Sequence, residues 1–169
     1  IFVNHFSDFT FVFLQKTLTS AETILAKEAF EAFFRSLGVN IEHYHADNRR
    51  FAEKGFMRHV RTRGQHITFC GVNAHFQNGR VEKKIRDLQD AARTSLISAK
   101  NRWKTTITSA LWPYALRHAN DGFNASIRSK SSKTPVELFT GASSKPSYRH
   151  FHLFGCPAYV WTHKRKKGE

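Results

Sequence analysis

Apolar and aromatic residues fill positions 1–3 and 9–14, and Asn4-His5-Phe6-Ser7-Asp8 separates the two runs. That pattern predicts two antiparallel strands of a hairpin. Thr19-Ser20-Ala21-Glu22 has the spacing of a capping box, and Gly38 suits the end of the helix it opens. On that helix Ile24, Leu25, Phe30, Phe33, Phe34 and Leu37 form a broad apolar face, expected to point inward. Residues 39–46 read as the next strand and 51–63 as a short helix with surface arginines. Residues 66–71 read as a strand in which Ile67 and Phe69 alternate with Thr68 and Cys70. A polar stretch, 72–79, is expected to be a mobile loop. A long helix follows over 79–103, with Val81, Ile85, Leu88 and Ala92 recurring at spacings of 4, 3 and 4 as its core face.

Beyond it, residues 105–118 predict a helix that Pro113 should kink or interrupt. Residues 124–133 read as a polar loop. Thr134 and Pro135 fit the cap and first position of a further short helix. Residues 142–169 read as an extension with one apolar strand at 158–161 and a basic end, Lys164-Arg165-Lys166-Lys167. The order strand–strand–helix–strand–helix–strand–helix predicts a mixed α/β sheet.

Size adds that 169 residues suit one domain with a short extension, and 16 phenylalanines can build its core. Cys70 and Cys156 stand far apart, which excludes a CxxC zinc pair or a disulfide framework and fits a reducing compartment. No signal peptide stands out, and no run of ~18 apolar residues predicts a membrane span.

Charge changes the picture more. The net charge of +14 is unevenly spread: residues 1–47 carry 3 basic and 6 acidic side chains, 48–104 carry 14 and 4, and 105–169 carry 10 and 3. The positive excess begins just after Asp47. It points to a polyanion, nucleic acid before an anionic membrane, with a merely solvated basic surface as the alternative.

Two acids frame the candidate chemistry. Asp47 follows a β-rich run and Glu82, 35 positions later, falls in the first turn of the long helix. Carboxylates at a strand end and a helix start can meet above a sheet to hold hard cations. Glu82, Arg86, Gln89 and Arg93 share one helical face, with Lys83 on its edge. That face suits phosphate contacts. A solvated face with a Glu82–Arg86 pair is the alternative. His43 and His45 share a strand face, but none of the ten histidines shows the paired spacing of a zinc finger. No Ser/His/Asp or Cys/His nucleophile arrangement and no phosphate-cradling glycine loop appears, so no small-molecule substrate is expected.

The words around these acids carry a resemblance. His43-Tyr44-His45-Ala46-Asp47-Asn48, Gln77-Asn78-Gly79-Arg80-Val81-Glu82-Lys83, 134–141 and 152–160 together resemble the integrase of Ty1/copia LTR retrotransposons, of the D,D-35-E type. The resemblance implies an α/β, RNase H-like mixed sheet with flanking helices, occupying 1–141, with 142–169 as a basic C-terminal extension. It implies that Asp47 and Glu82 are the second and third catalytic acids and metal ligands, using Mg2+ or Mn2+. Trimming of 3′ DNA ends and strand transfer would follow. Asn48, Arg49, Asn78, Lys83, Arg86 and Arg93 would contact DNA. Partners would be the element's DNA ends, target DNA and further copies of the chain, with no membrane. Location would be the nucleus, after a cytoplasmic virus-like particle.

The same resemblance places the first catalytic aspartate, and the first strand, ahead of Ile1. That strand would lie between the hairpin and the strand of Asp47. Asp8, in the hairpin turn, is not expected to replace the missing acid, and Asn4 stands where relatives carry a non-catalytic acid. The fragment is therefore expected to be inactive alone, its sheet poorly joined. Arg49-Arg50 stand where the family has glycines, and Val81 where it has alanine. Two alternatives remain open: a decayed remnant that only binds nucleic acid, or another DDE transposase.

Overall fold

The structure is a computed structural model and describes residues 1–47, 51–71, 78–127, 132–142 and 151–161. Two short strands, β1 (Phe2–Val3) and β2 (Thr10–Phe11), pair antiparallel as Phe2↔Phe11 and Val3↔Thr10. Helix α1 (Ser20–Arg35) leads to β3 (His43–Ala46), α2 (Lys54–Thr62) and β4 (His66–Phe69), and β3 pairs parallel with β4. The long α3 (Gly79–Arg102), a 3-10 turn (Ser109–Leu111), α4 (Trp112–Ala125) and α5 (Pro135–Thr140) complete the order. Among the described residues no helix is long and apolar enough to cross a membrane.

Among the described residues the expected mixed sheet is two separate two-stranded ladders, β1–β2 and β3–β4. The outer edge of β2 is closed by a side chain. Asn124 at the end of α4 accepts from the Thr10 N–H at 2.9 Å and donates to the Thr10 carbonyl at 2.7 Å. An amide side chain thereby does for one residue what a neighbouring strand does for a ladder.

Helix ends follow their local signals. Thr19 caps α1 by accepting from the Glu22 N–H, and Gly38, at φ +76°, closes its far end with a bond to the Arg35 carbonyl. Thr134 and Glu137 form both halves of a capping box on α5, and Gly141 ends it at φ +71°. Pro113 does not kink a helix. It sits in the first turn of α4, where its missing N–H costs nothing, and α4 runs on to Ala125, into the stretch read as loop.

The core gathers the phenylalanines. Phe9, Phe30 and Phe34 are buried, with Phe2, Phe11, Tyr44, Val136 and Phe139 against them. Phe2 stacks on Phe30 at 4.5 Å between ring centres, and Phe34 meets Phe139 edge-on at 4.3 Å. The buried stripe of α1 differs from the expected one. Thr23, Ala26, Lys27, Phe30, Glu31 and Phe34 face inward, while Leu25, Phe33 and Leu37 are about half exposed. The cause is an ion pair: Lys27 Nζ and Glu31 Oε1 lie 2.7 Å apart in the interior, and Glu31 also accepts from Tyr44 Oη and Gln65 Nε2, each at 2.6 Å. This network fastens β3 to α1.

On α3 the buried residues are Lys84, Leu88, Ala92 and Ala99, and Ile85 of the expected stripe is exposed. Leu88 and Ala92 fit the periodicity, and α3 packs against α4, on which Ala115 and Ala119 are buried. Residues 151–156 lie on the same helices. His118 Nε2 is 2.9 Å from the His152 carbonyl, and Gly155, at φ +75°, approaches Ala99 and Ile107 so closely that a Cβ there would stand 2.9 Å from the Ala99 Cβ. The strand expected at 158–161 is absent: that segment is irregular, with Tyr159, Val160 and Trp161 exposed. The basic end 164–167 and the expected loop at 72–77 lie outside the described residues.

Candidate metal and nucleic-acid site

Asp47 stands immediately after β3, half-buried, at the C-terminal end of the parallel pair. The Cys70 N–H donates to the Ala46 carbonyl at 3.0 Å and so carries the ladder up to that point. Its strand is held from below by the Tyr44–Glu31 bond. Burial would raise the Glu31 pKa, but the hydrogen bonds from Lys27, Tyr44 and Gln65 outweigh it and hold the carboxyl ionised. Burial and the same carboxylate push Tyr44 far up, keeping its hydroxyl a donor.

Glu82 lies in the first turn of α3, exposed, where a negative charge complements the helix dipole. Asn78 precedes the helix as its N-terminal boundary residue without a side-chain capping bond. Asn78, Arg80 and Val81 border a cleft of about 670 Å³ whose other walls are residues 1–6 of the hairpin and 39–46 leading into and along β3. The acids thus occupy the places the sequence assigned, a strand end and a helix start. Both offer hard oxygen donors, which suit Mg2+ or Mn2+. Among the described residues, however, no group of three or more His, Cys, Asp or Glu is placed to hold a metal ion. The described residues place Asp47 and Glu82 at these two element ends without assembling a metal site around them. Asn48 and Arg49 lie outside the described residues.

The outward face of α3 carries Arg86 and Arg93, both exposed, and among the described residues neither has an acidic partner, so the Glu82–Arg86 pair does not form. Lys83 instead pairs with Asp87 at 2.9 Å.

One feature of this helix escapes sequence reasoning. Asp8, in the hairpin turn, holds two α3 cations: Oδ1 lies 3.0 Å from Arg80 Nε and Oδ2 lies 3.1 Å from Lys84 Nζ. Asn4 builds the turn that aims it, its Oδ1 accepting from the Phe6 and Ser7 N–H groups and the Ser7 hydroxyl. Asp8 itself adopts φ +63°, a conformation that aspartate tolerates better than most residues. Burial would raise its pKa, but Lys84 and then Arg80 outweigh that and bring it below the ordinary value. Asp8 is thus a strap for α3. The only hint in sequence is two cations four residues apart. Their partner lies 72 and 76 positions away.

No family model matches the chain, and no curated protein matches it. Among solved structures it is similar to the "HTLV-2 integrase catalytic core domain in complex with magnesium (trimeric form)", with a TM-score of 0.61 and 21% identity over 81% of this chain and 80% of that one. The likeness shows the fold, a mixed α/β arrangement of the kind seen in an integrase core.

Proposed function

We propose that the chain is a partial catalytic core of a DNA-integrating polynucleotidyl transferase of Ty1/copia type. The observation that carries this reading is the pairing of fold and position. On an integrase-like fold, Asp47 ends a strand and Glu82 opens the long helix, 35 residues apart. Asp47 and Glu82 would hold the divalent metal, which supplies charge stabilisation for attack of an oxygen nucleophile on a phosphodiester. The residues of this chain would do the rest. Arg86 and Arg93 would grip phosphates, and the Asp8 strap would keep α3 turned so that Glu82 faces out.

In this reading the two ladders are halves of one RNase H-like sheet. The cleft between residues 1–6 and 39–46 is where an additional strand, bearing the first aspartate, would run. Among the described residues β1 pairs with β2 alone and β3 with β4 alone, so each offers an edge. The exposed Leu25 and Phe33 on α1, and Leu37 just beyond it, support assembly of several copies, in keeping with the trimeric form of the structural neighbour. The site of action would be the nucleus.

The test is Mg2+-dependent strand transfer of a labelled DNA end, by the 169-residue chain and by a chain extended through its upstream reading frame. The reading expects activity only in the extended chain, abolished by Asp47→Asn or Glu82→Gln. Strand transfer by the 169-residue chain would overturn the claim that the core is incomplete. Inactivity of both would leave a nucleic-acid-binding remnant.

A further inference from the structure

The end of α3 remote from Glu82 gathers positive charge that nothing beside it offsets. Lys100 and Arg102 lie in its last turn and Lys104 just beyond, all three exposed. Residues 91–120 hold five cations, Arg93, Lys100, Arg102, Lys104 and Arg117, and no acid. Residues 151–161, of which Gly155 docks on Ala99, bring no acid either. Among the described residues none of Lys100, Arg102 and Lys104 is in an ion pair. The helix dipole accounts for cations in the last turn, but not for Lys104 or for the lack of acids around them. At about 1.5 Å per residue Lys100 stands about 27 Å along the helix from Glu82, so this surface is separate from the two acids. Arg86, Arg93 and Lys100 follow one another at intervals close to two whole turns and so lie in one line along α3. Aromatic faces stand at the same end. Tyr159 is four residues beyond Gly155, hence within about 14 Å of it, and is 96% exposed. Tyr114, in the first turn of α4 and joined to α3 by residues 103–111, is 61% exposed.

We propose that this end of the molecule binds single-stranded nucleic acid, with Lys100, Arg102 and Lys104 on phosphates and Tyr159 and Tyr114 against bases. Three cations without counter-charge repel one another. A chain of phosphates relieves that repulsion and releases its own counterions on binding. Each exposed ring offers a face on which an unpaired base can stack, whereas a duplex keeps its base faces against each other. The line of cations along α3 fits a linear polyanion better than a flat anionic membrane. Neither kind of contact reads the sugar, so DNA and RNA strands serve equally. The proposal goes beyond the reading above. It uses neither Asp47 nor Glu82, needs no metal, and holds whichever way the strand-transfer test falls.

The test is fluorescence anisotropy of labelled oligo(dT) with the whole 169-residue chain, in EDTA so that no metal contributes. Replacing Lys100, Arg102 and Lys104 together by Ala should lower the slope of log affinity against log salt by about 2, at about 0.7 per cation. Removing the same charge from α2, by Lys54→Ala, Arg58→Ala and Arg61→Ala at three exposed positions, should lower it by less than half as much. Tyr159→Ala should weaken oligo(dT) binding about 5- to 10-fold, the low end of what stacking on a ring contributes. Tyr159→Phe should retain that binding, and Tyr159→Ala should leave affinity for a duplex of equal length unchanged, with circular dichroism confirming the fold of every variant. Oligo(U) should bind as oligo(dT) does. An equal loss of slope from the α2 set would reduce the effect to net charge and overturn the proposal. So would a Tyr159→Ala effect on both nucleic acids or on neither, or a tenfold preference for one sugar. Capture by phosphatidylserine vesicles in place of oligo(dT) would make the surface a membrane contact and overturn it as well.

Discussion

Replacing Asp8 by Asn tests how α3 is held. The change keeps size and tolerance of positive φ, and removes only the charge. Lys84, 4% exposed, then loses the carboxylate that faces it at 3.1 Å. Orphaning one member of a buried pair costs about 3–5 kcal/mol. Asp8 is 28% exposed and solvent screens part of the pair, while the more exposed Arg80 adds little. A loss of about 2 kcal/mol follows. For a chain of this length that lowers Tm by roughly 4–8 °C. The pH dependence has a definite sign. Asp8 has a folded pKa below its unfolded value, so its contribution is present above the unfolded value and is lost as pH falls through the folded one. Denaturant melts of both proteins at neutral pH and at steps into the acid range should show a gap that closes only below the ordinary carboxylate range, about pH 3.9. A neutral-pH gap under about 0.5 kcal/mol, within the usual range of surface substitutions, would refute the strap.

The remaining predictions concern other parts of the molecule. Glu31→Gln leaves the fully buried Lys27 without its carboxylate and should cost about 3–5 kcal/mol in a urea melt; a loss under 1 kcal/mol would show that the network is not what fastens β3. Gly155→Ala places a methyl 2.9 Å from the Ala99 Cβ at a φ of +75°, and should cost about 1–2 kcal/mol and speed amide exchange in 151–156; unchanged exchange there would count against close docking of the segment. Arg86→Ala and Arg93→Ala should each lower the slope of log affinity for duplex DNA against log salt by about 1, with little effect on sequence preference. Slopes equal to the parent's would remove α3 from the interface.

What was legible in the sequence was local. The bounds of α5 follow from its capping box and Gly141 and those of α3 from apolar periodicity starting at Gly79, while Asp47 and Glu82 stand where strand and helix signals place them. The errors have a common cause in pairing across distance. The apolar face of α1 departs from its pattern because Lys27 and Glu31 neutralise each other and go inside, which turns Leu25 and Phe33 outward. Ile85 was expected inward, yet Lys84 takes the buried place because Asp8 supplies its counter-charge. Hydrophobicity treats each charged residue as solvated, and only the fold reveals which find partners. Pro113 differs for another reason: the pattern suggests a helix from residue 105, in which the proline would be internal, whereas α4 begins at Trp112 and holds it in the first turn.

The two sheet edges bordering the cleft also govern how the chain behaves in a tube. Among the described residues β1 and β3 each keep one edge without a strand partner, and such an edge is a template for another, here flanked by apolar Phe2 and Tyr44. Two copies could satisfy each other's edges, and a third could add to the second. Mutual repulsion at +14 opposes that encounter at low ionic strength. Added salt shortens its reach to about 8 Å near physiological strength. Concentrated stocks should therefore stay clear in dilute buffer and turn cloudy as salt is raised, the reverse of the salting-in that a basic nucleic-acid-binding protein ordinarily shows.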